Sequence, residues 1–309
     1  NCSQFPEISF DLSVADIYGT LSSGGTLVPA KTIYDKLFPG RFIRNKKIDF
    51  LVCVPSLIDV IKNSSELTKQ NLKSLKTIFF CGEALLKTQV KSILKVKKNL
   101  RIINAYGPTE ATVSCTHKEV HSQDLNNKKF HSISIGSAIP GTKIKLLDNG
   151  KFSKNKGEII IYGNQVAEGY LNKKENKNKF FLSKKDKSLF KTGDYVEIFN
   201  NEMFFKNRVD NQVKIKGHRI ELDEISSCLM SYGIKKINTI VFNKKIVSFY
   251  TDKKKYNKNT VDVFLKKNIP EYMIPNYLFQ IKKFPLTENL KLNIKGLIQI
   301  AKKKINAEK

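Results

Sequence analysis

Between residues 14 and 105, short apolar runs alternate with stretches of helical periodicity, and that order leaves few folds open. A helix over 14–21 is followed by the turn Ser22-Ser23-Gly24-Gly25 and a strand over 26–28. A second helix over 38–45 leads to an apolar strand over 50–54, and Pro55-Ser56 opens another helix through 61. Strand 77–80, helix 85–96 and strand 101–105 repeat the unit. Strands separated by helices do not pair as hairpins, so a parallel sheet covered by helices on both faces is expected. Such sheets gather ligands in the loops at the carboxyl ends of their strands, where Cys81-Gly82-Glu83 and Tyr106-Gly107-Pro108 fall.

From 133 to 205 the pattern changes to short β-type runs, KIKLL, GEIIIYG and YVEIF, divided by Gly and Asn turns. These predict a small antiparallel barrel or sheet. Beyond Asp210 the order is hairpin, helix 222–230, strands 239–242 and 246–250, helix 261–267 and a final Lys-rich turn over 301–309. The expected fold class is therefore α/β, parallel sheet layers with helices plus a small β-barrel subdomain, followed by a smaller α+β domain. The expected boundaries are 1–208 for the first domain, 209–211 for a hinge and 212–309 for the second.

Three polar motifs punctuate this frame: NAYGPTE at 104–110, Thr192-Gly193-Asp194 with an Arg-x-Asp-x-Gln-x-Lys-x-x-Gly series starting at Arg208, and Lys291 within FPLTENLKLNIKGL. Taken singly, each has a bland reading as a Gly-Pro turn, a β-turn or one lysine among many. In this order they resemble the adenylate-forming (AMP-binding) superfamily, in particular its amino-acid adenylation branch of peptide-synthetase adenylation domains and D-alanine:carrier-protein ligases. The resemblance spans the whole chain but only the later part of a family member. It implies an N-terminally truncated sequence, with the Ser/Thr/Gly-rich phosphate loop of the family outside these 309 residues.

The resemblance implies a nucleotide site made by Gly82, Glu83, Asn104, Ala105, Tyr106, Gly107, Thr109, Asp194 and Arg208. Tyr106 would stack on adenine, Thr109 would donate to an α-phosphate oxygen, and Asp194 would accept from both ribose hydroxyls. Glu110 would hold Mg²⁺ through its hard oxygens, and Lys291 would neutralise charge developing at the reacting carboxylate and phosphate. Asp210 falls at the hinge about which the family's small domain swings, and Gly217 on the loop that serves the second, thiolation step. Three departures are visible: Asn207 stands where the family has Gly before the Arg, Leu290 replaces the Gly before the Lys, and Asn293 replaces an Asp.

A substrate pocket is implied at Asp11, Leu12, Ala15, Ser56, Phe79, Cys81, Ala105, Val113 and Ser114. The position of Asp11 pairs with a substrate α-ammonium in amino-acid-activating members; its simpler reading is an N-cap for the helix that follows. FDLSVADIY and FFCGEAL look most like the D-alanine:carrier-protein ligases. The implied chemistry is ATP-dependent activation of a small amino acid, D-alanine favoured, and its transfer to a phosphopantetheinylated acidic carrier protein on a separate chain. An acyl- or aryl-CoA ligase and a non-catalytic homologue with a basic binding surface remain as alternatives.

The net charge of +27 invites a nucleic-acid reading, yet only five of the 55 basic residues are arginine and the lysines are spread evenly, which points instead to a compositional bias. A basic surface would still steer an acidic protein partner. The five cysteines show no metal-type spacing and read as free thiols of a cytoplasmic protein. The four histidines read as solvated or structural. No apolar run is long enough to insert in a membrane.

Overall fold

A computed structural model of the chain describes residues 1–177, 179–181, 188–210, 212–286 and 292–307. It divides into two compact units, Asn1–Val209 and Asp210–Lys309.

The first unit begins with β1 (Cys2–Gln4), α1 (Leu12–Ser22), β2 (Leu27–Pro29), α2 (Ile33–Leu37), α3 (Pro39–Asn45), β3 (Phe50–Cys53), α4 (Ser56–Asn63), β4 (Thr77–Phe80), α5 (Lys87–Val96) and β5 (Arg101–Tyr106). Two short strands follow, β6 (Thr116–Glu119) and β7 (Ser137–Ala138), completing a seven-stranded sheet ordered β2-β1-β3-β4-β5-β6-β7. The first five strands are parallel, whereas β5–β6 and β6–β7 pair antiparallel, so the sheet is mixed rather than purely parallel. The cause is the connection: only residues 107–115 join β5 to β6, too few for the crossover that parallel pairing requires.

Local chemistry explains several helix ends. Thr32 accepts from the Asp35 amide at 3.1 Å while the Asp35 carboxylate accepts from the Thr32 amide at 2.9 Å, a reciprocal cap for α2. Pro39 occupies the first turn of α3, where its missing N–H costs nothing. One sheet face packs on α3, α4 and α5 through Phe42, Ile43, Ile58, Ile61, Val90 and Ile93, all at most 3% exposed. The opposite face groups Cys2, Leu12, Val52, Cys81, Ala105 and Val113, with Ala15 and Phe79 partly buried against them.

The rest of this unit is β8 (Thr142–Asp148), β9 (Lys151–Ser153), β10 (Lys156–Gly163), β11 (Phe180–Phe181), β12 (Leu189–Phe199) and β13 (Glu202–Arg208). They form a six-stranded antiparallel sheet with order β11-β12-β10-β8-β9 and β13 on β12. Among the described residues this sheet does not close on itself, so the expected barrel is a half-barrel.

The second unit contains β14 (Gln212–Ile215), β15 (His218–Glu221), α6 (Leu222–Ser231), β16 (Ile237–Phe242), β17 (Lys245–Tyr250), α7 (Lys258–Asn268), β18 (Tyr277–Gln280) and α8 (Ile294–Ala307). β16, β17 and β18 form a three-stranded sheet packed by Leu297, Ala301 and Ile305 of α8. The expected Lys-rich turn near the end is thus largely a helix, because apolar residues at spacing three to four give it a buried stripe. Paired positive φ values at Asn149/Gly150, Asn200/Asn201, Lys216/Gly217 and Asn243/Lys244 mark two-residue hairpin turns. Asn, Gly and polar residues occupy them because such turns need left-handed backbone at both positions.

Candidate nucleotide and substrate site

The loops after β4 and β5 lie at the carboxyl ends of adjacent parallel strands, and the structure brings most of the expected residues there. Gly82 has φ +95°, a conformation that side-chain-bearing residues rarely adopt. At Gly107 a Cβ would meet the Ser114 Cα and the Val113 carbonyl oxygen at 2.6 Å, so the β5–β6 loop closes only over glycine. Glu83 accepts from the Ser56 amide at 2.9 Å, which sets a carboxylate on the N-terminus of α4 and joins two expected site residues. The Asn104 amide group donates to the Ser134 carbonyl at 2.8 Å, so its side chain is taken up inside the protein.

Tyr106 and Asp194 are 88 positions apart in sequence, yet the Tyr106 hydroxyl donates to Asp194 Oδ2 at 2.7 Å. Arg208 Nη1 meets Asp194 Oδ1 at 2.5 Å and Arg208 Nη2 donates to the Thr192 carbonyl at 3.0 Å. Asp194 is 3% exposed, and its backbone amide donates to Thr192 Oγ1 at 3.0 Å. Burial, reinforced by the Asp194 carboxylate, pushes the Tyr106 phenol well above its ordinary pKa, so it remains a donor at all ordinary pH. The Tyr106 ring packs with Ala111, Cys115 and Ile135 and is 7% exposed, leaving little of its face for a base.

Thr109 is exposed, whereas the neighbouring Glu110 is buried and its Oε1 accepts from the Tyr170 hydroxyl. Thr109–Ala111 is a single 3-10 turn, which points consecutive side chains in different directions. Thr112 and Val113 follow with φ of 52° and 66°, left-handed conformations that a β-branched residue strongly disfavours.

The expected pocket residues Leu12, Ala15, Phe79, Cys81, Ala105 and Val113 fall into one small apolar group. The Cys81 thiol donates to the Val113 carbonyl at 3.6 Å. Asp11 precedes α1 with helical φ and ψ and makes no side-chain cap bond, so the N-cap reading does not describe it. Ser114 sits at the rim with its amide on the Thr112 carbonyl at 2.8 Å. Ser56 opens α4, two residues past Val54, which packs against that group.

A cavity of about 390 Å³ opens on the same sheet face, with Ala15, Phe79, Cys2, Thr20 and Val52 among its walls. Beside it on α1, Asp16 is fully buried, and burial, only partly offset by the neighbouring Ile17 amide, raises its pKa to about 7. No local pattern marks this: Asp16 sits at an ordinary helical position, and only tertiary packing removes its water. Gln165 and Tyr170, which contact the 109–114 loop, were also missed, since nothing in GNQVAEGY marks them as contact residues for a loop over fifty positions away.

Asp210 and Gly217 belong to the second unit. Asp210 Oδ1 accepts from the Gln212 amide at 3.3 Å, and Gly217 occupies the β14–β15 hairpin turn at φ 83°. Residue 211 of the expected hinge, Lys291 and Leu290 lie outside the described residues; Asn293 is described, and its side chain accepts from the Gly296 amide at 3.0 Å, at the start of α8. Among the described residues, no helix is long and apolar enough to cross a membrane.

Known proteins resemble this chain in sequence and in fold. The chain is 34% identical over 307 residues to a protein of Listeria innocua named D-alanine--D-alanyl carrier protein ligase, covering 94% of this chain and 60% of that protein. A Staphylococcus epidermidis protein of the same name is 32% identical over 305 residues, with 94% and 61% covered. The chain thus spans about three-fifths of the length of the curated relatives it matches. Among solved structures, the Vibrio cholerae adenylation domain AlmE, in complex with glycyl-adenosine-5'-phosphate, superposes with a TM-score of 0.86 at 26% identity, covering 97% of this chain and 58% of that one. PA1221, an NRPS protein containing adenylation and PCP domains, gives 0.81 at 25% identity, with 96% and 52% covered. The AMP-binding enzyme family matches residues 2–171, and the chain belongs to that family.

Proposed function

We propose that the protein containing this chain activates a small amino acid, D-alanine foremost, with ATP and passes it to the phosphopantetheine thiol of an acidic carrier protein. Asp11 carries the reading. Its carboxylate does not cap α1, and it adjoins Leu12 of the small apolar group that includes Cys81, Ala105 and Val113. A carboxylate beside a confined apolar wall favours an α-ammonium with a small side chain, a charge that an acyl-CoA ligase has no use for. The names of the Listeria and Staphylococcus relatives and the glycyl adenylate in the AlmE structure support the same reading.

In the first step, an amino-acid carboxylate oxygen bonds to the α-phosphorus of ATP while the bond from that phosphorus to the β-bridging oxygen breaks, releasing pyrophosphate. Asp194 has the residual lone pairs to accept from ribose hydroxyls, with Arg208 fixing its orientation. The single buried carboxylate of Glu110, oriented by Tyr170, suits Mg²⁺, an ion that keeps most of its waters and takes few protein ligands. When bound, Mg²⁺ supplies neutralisation of phosphate charge. Thr109, exposed beside Glu110, is available to donate to a phosphate oxygen, and Lys291 is assigned the reacting carboxylate. In the second step the carrier thiol sulfur bonds to the acyl carbon, the bond from that carbon to AMP oxygen breaks, and the thiol proton passes to solvent. Asp210 as the pivot and the Gly217 hairpin as the thiolation loop complete the proposal.

The test is amino-acid-dependent ATP–pyrophosphate exchange on the full-length protein. Exchange should favour D-alanine over L-alanine and larger amino acids. Asp11→Ala should lower it by about 100-fold or more, since a desolvated ammonium without its partner costs ~3 kcal/mol. Exchange supported by a fatty acid and by no amino acid overturns the reading.

A further inference from the structure

The chain leaving β10, residues 163–171, is bonded repeatedly to the loop 109–114 that holds Glu110 and Val113. Gln165 Nε2 donates to the Ala111 carbonyl at 2.9 Å and to the Ser114 carbonyl at 3.3 Å, so one carboxamide grips both sides of Thr112-Val113. The Gln165 carbonyl accepts from Thr112 Oγ1 at 2.8 Å. Two positions on, the Ala167 amide donates to the Glu110 carbonyl at 2.8 Å, and Tyr170 donates to the Glu110 carboxylate. Tyr170 is itself fixed: its ring lies edge-on to Phe180 at 5.1 Å, and its amide donates to Asn176 Oδ1 at 2.6 Å.

Left-handed non-glycine residues persist only where surrounding contacts over-determine them. Two in succession at Thr112 and Val113, bracketed by the two carbonyls that Gln165 holds, fit that rule. We propose that Gln165 and Tyr170 are positioning residues of this site, Gln165 setting the Val113 wall of the amino-acid pocket and Tyr170 setting the Glu110 oxygen that receives the metal. The inference rests on the function proposed above and extends it, because one short segment then controls both the substrate wall and the metal ligand. Val113 is the link to the pocket, since its carbonyl also accepts from the Cys81 thiol at 3.6 Å.

Gln165→Ala, Gln165→Glu and Tyr170→Phe in the full-length protein test it by two independent readouts. The first is amide hydrogen exchange by mass spectrometry. Gln165→Ala should speed exchange about tenfold in peptides covering 109–115, the expected effect of losing hydrogen bonds of ordinary strength, and leave the rest of the first unit protected. Gln165→Glu, which sets a carboxylate against two carbonyls, should do so at least as strongly. The second is pyrophosphate exchange. The Gln165 variants should raise KM for the amino acid about tenfold while changing KM for ATP less than about threefold; Tyr170→Phe should instead raise the Mg²⁺ concentration needed for half-maximal rate by about three- to tenfold. Unaltered local amide exchange overturns the proposal, as does deprotection spread over the whole unit or an equal shift of all kinetic constants. Should the parent protein show no amino-acid-dependent exchange, the functional reading fails while amide exchange still decides whether Gln165 holds the loop. Tyr170→Phe removes a single oxygen and keeps the test available if the Gln165 variants do not fold.

Discussion

Along β3, β4 and β5, alternate residues face opposite sides of the sheet, and the two sides differ in kind. Leu51, Cys53, Ile78, Phe80 and Ile102 enter a large core closed by three helices, while Val52, Phe79, Cys81 and Ala105 line a smaller group that carries the cavity and adjoins Asp16 and the 109–114 loop. The first side is built of large aliphatic and aromatic residues that fill space. The second mixes Val52, Cys81 and Ala105 with the partly buried Phe79, and it tolerates features that a closed core excludes: a buried carboxylate, an open volume and a strained loop. A closed core and a face with open volume are thus separated by the two-residue period of a strand.

The largest expected effect tests the closed side. Phe80 is 0% exposed, and Phe80→Ala should cost ~3–5 kcal/mol in urea denaturation, since the cavity it leaves cannot fully collapse. A loss of less than ~1 kcal/mol would mean that this side is not the closed core described.

Asp16 tests the other side through pH. Its pKa stands at about 7 against an ordinary carboxylate value of 3.8, because burial disfavours the charged form. The folded protein therefore binds more protons than the unfolded chain between those values, so this group's contribution to stability is greatest below about pH 4, falls as pH rises towards 7 and then levels off. The ceiling is ~4 kcal/mol. Asp16→Asn should flatten that fall and stabilise the protein by about 2 kcal/mol at pH 8, read by denaturation across pH 4–8; parallel profiles for the two proteins would sink the assignment.

The smallest stability effect is expected at Cys81, one residue from Phe80 but on the opposite side. Cys81→Ala removes one sulfur atom at a position 3% exposed and should cost less than ~1.5 kcal/mol. Its effect should appear in recognition, as a roughly tenfold change in the ratio of D- to L-alanine exchange, about the discrimination that one small group provides in a pocket. A stability loss equal to that of Phe80→Ala, with unchanged discrimination, would erase the difference between the two sides.

Much of the frame was legible in the residues. The alternation of apolar runs located β3, β4, β5 and the helices between them to within a few positions, because helical and strand periodicities are local properties of a segment that is buried on one side. The Asn- and Gly-bearing turns likewise announced the half-barrel hairpins. The antiparallel β6 and β7 were missed: THKE and a two-residue strand carry no apolar period, and they pair only because β5 offers them an edge. The α8 helix was missed because its many lysines masked a narrow buried stripe at Leu297, Ala301 and Ile305.

The site divides in the same way. NAYGPTE and the Thr-Gly-Asp turn could be named from sequence because their residue types and order are unusual, and Gly107 is required by a contact within the same loop. By itself the sequence determined the layered α/β frame, the half-barrel turns and the motifs set on strand ends, since each depends on neighbours only a few positions away. Only tertiary structure decided that Tyr106 and Arg208 close on Asp194, that Gln165 and Tyr170 hold the Glu110 loop, and that Asp16 loses its water. Those outcomes join residues far apart along the chain, and they follow from how the sheets bring strand ends together, which no local pattern encodes.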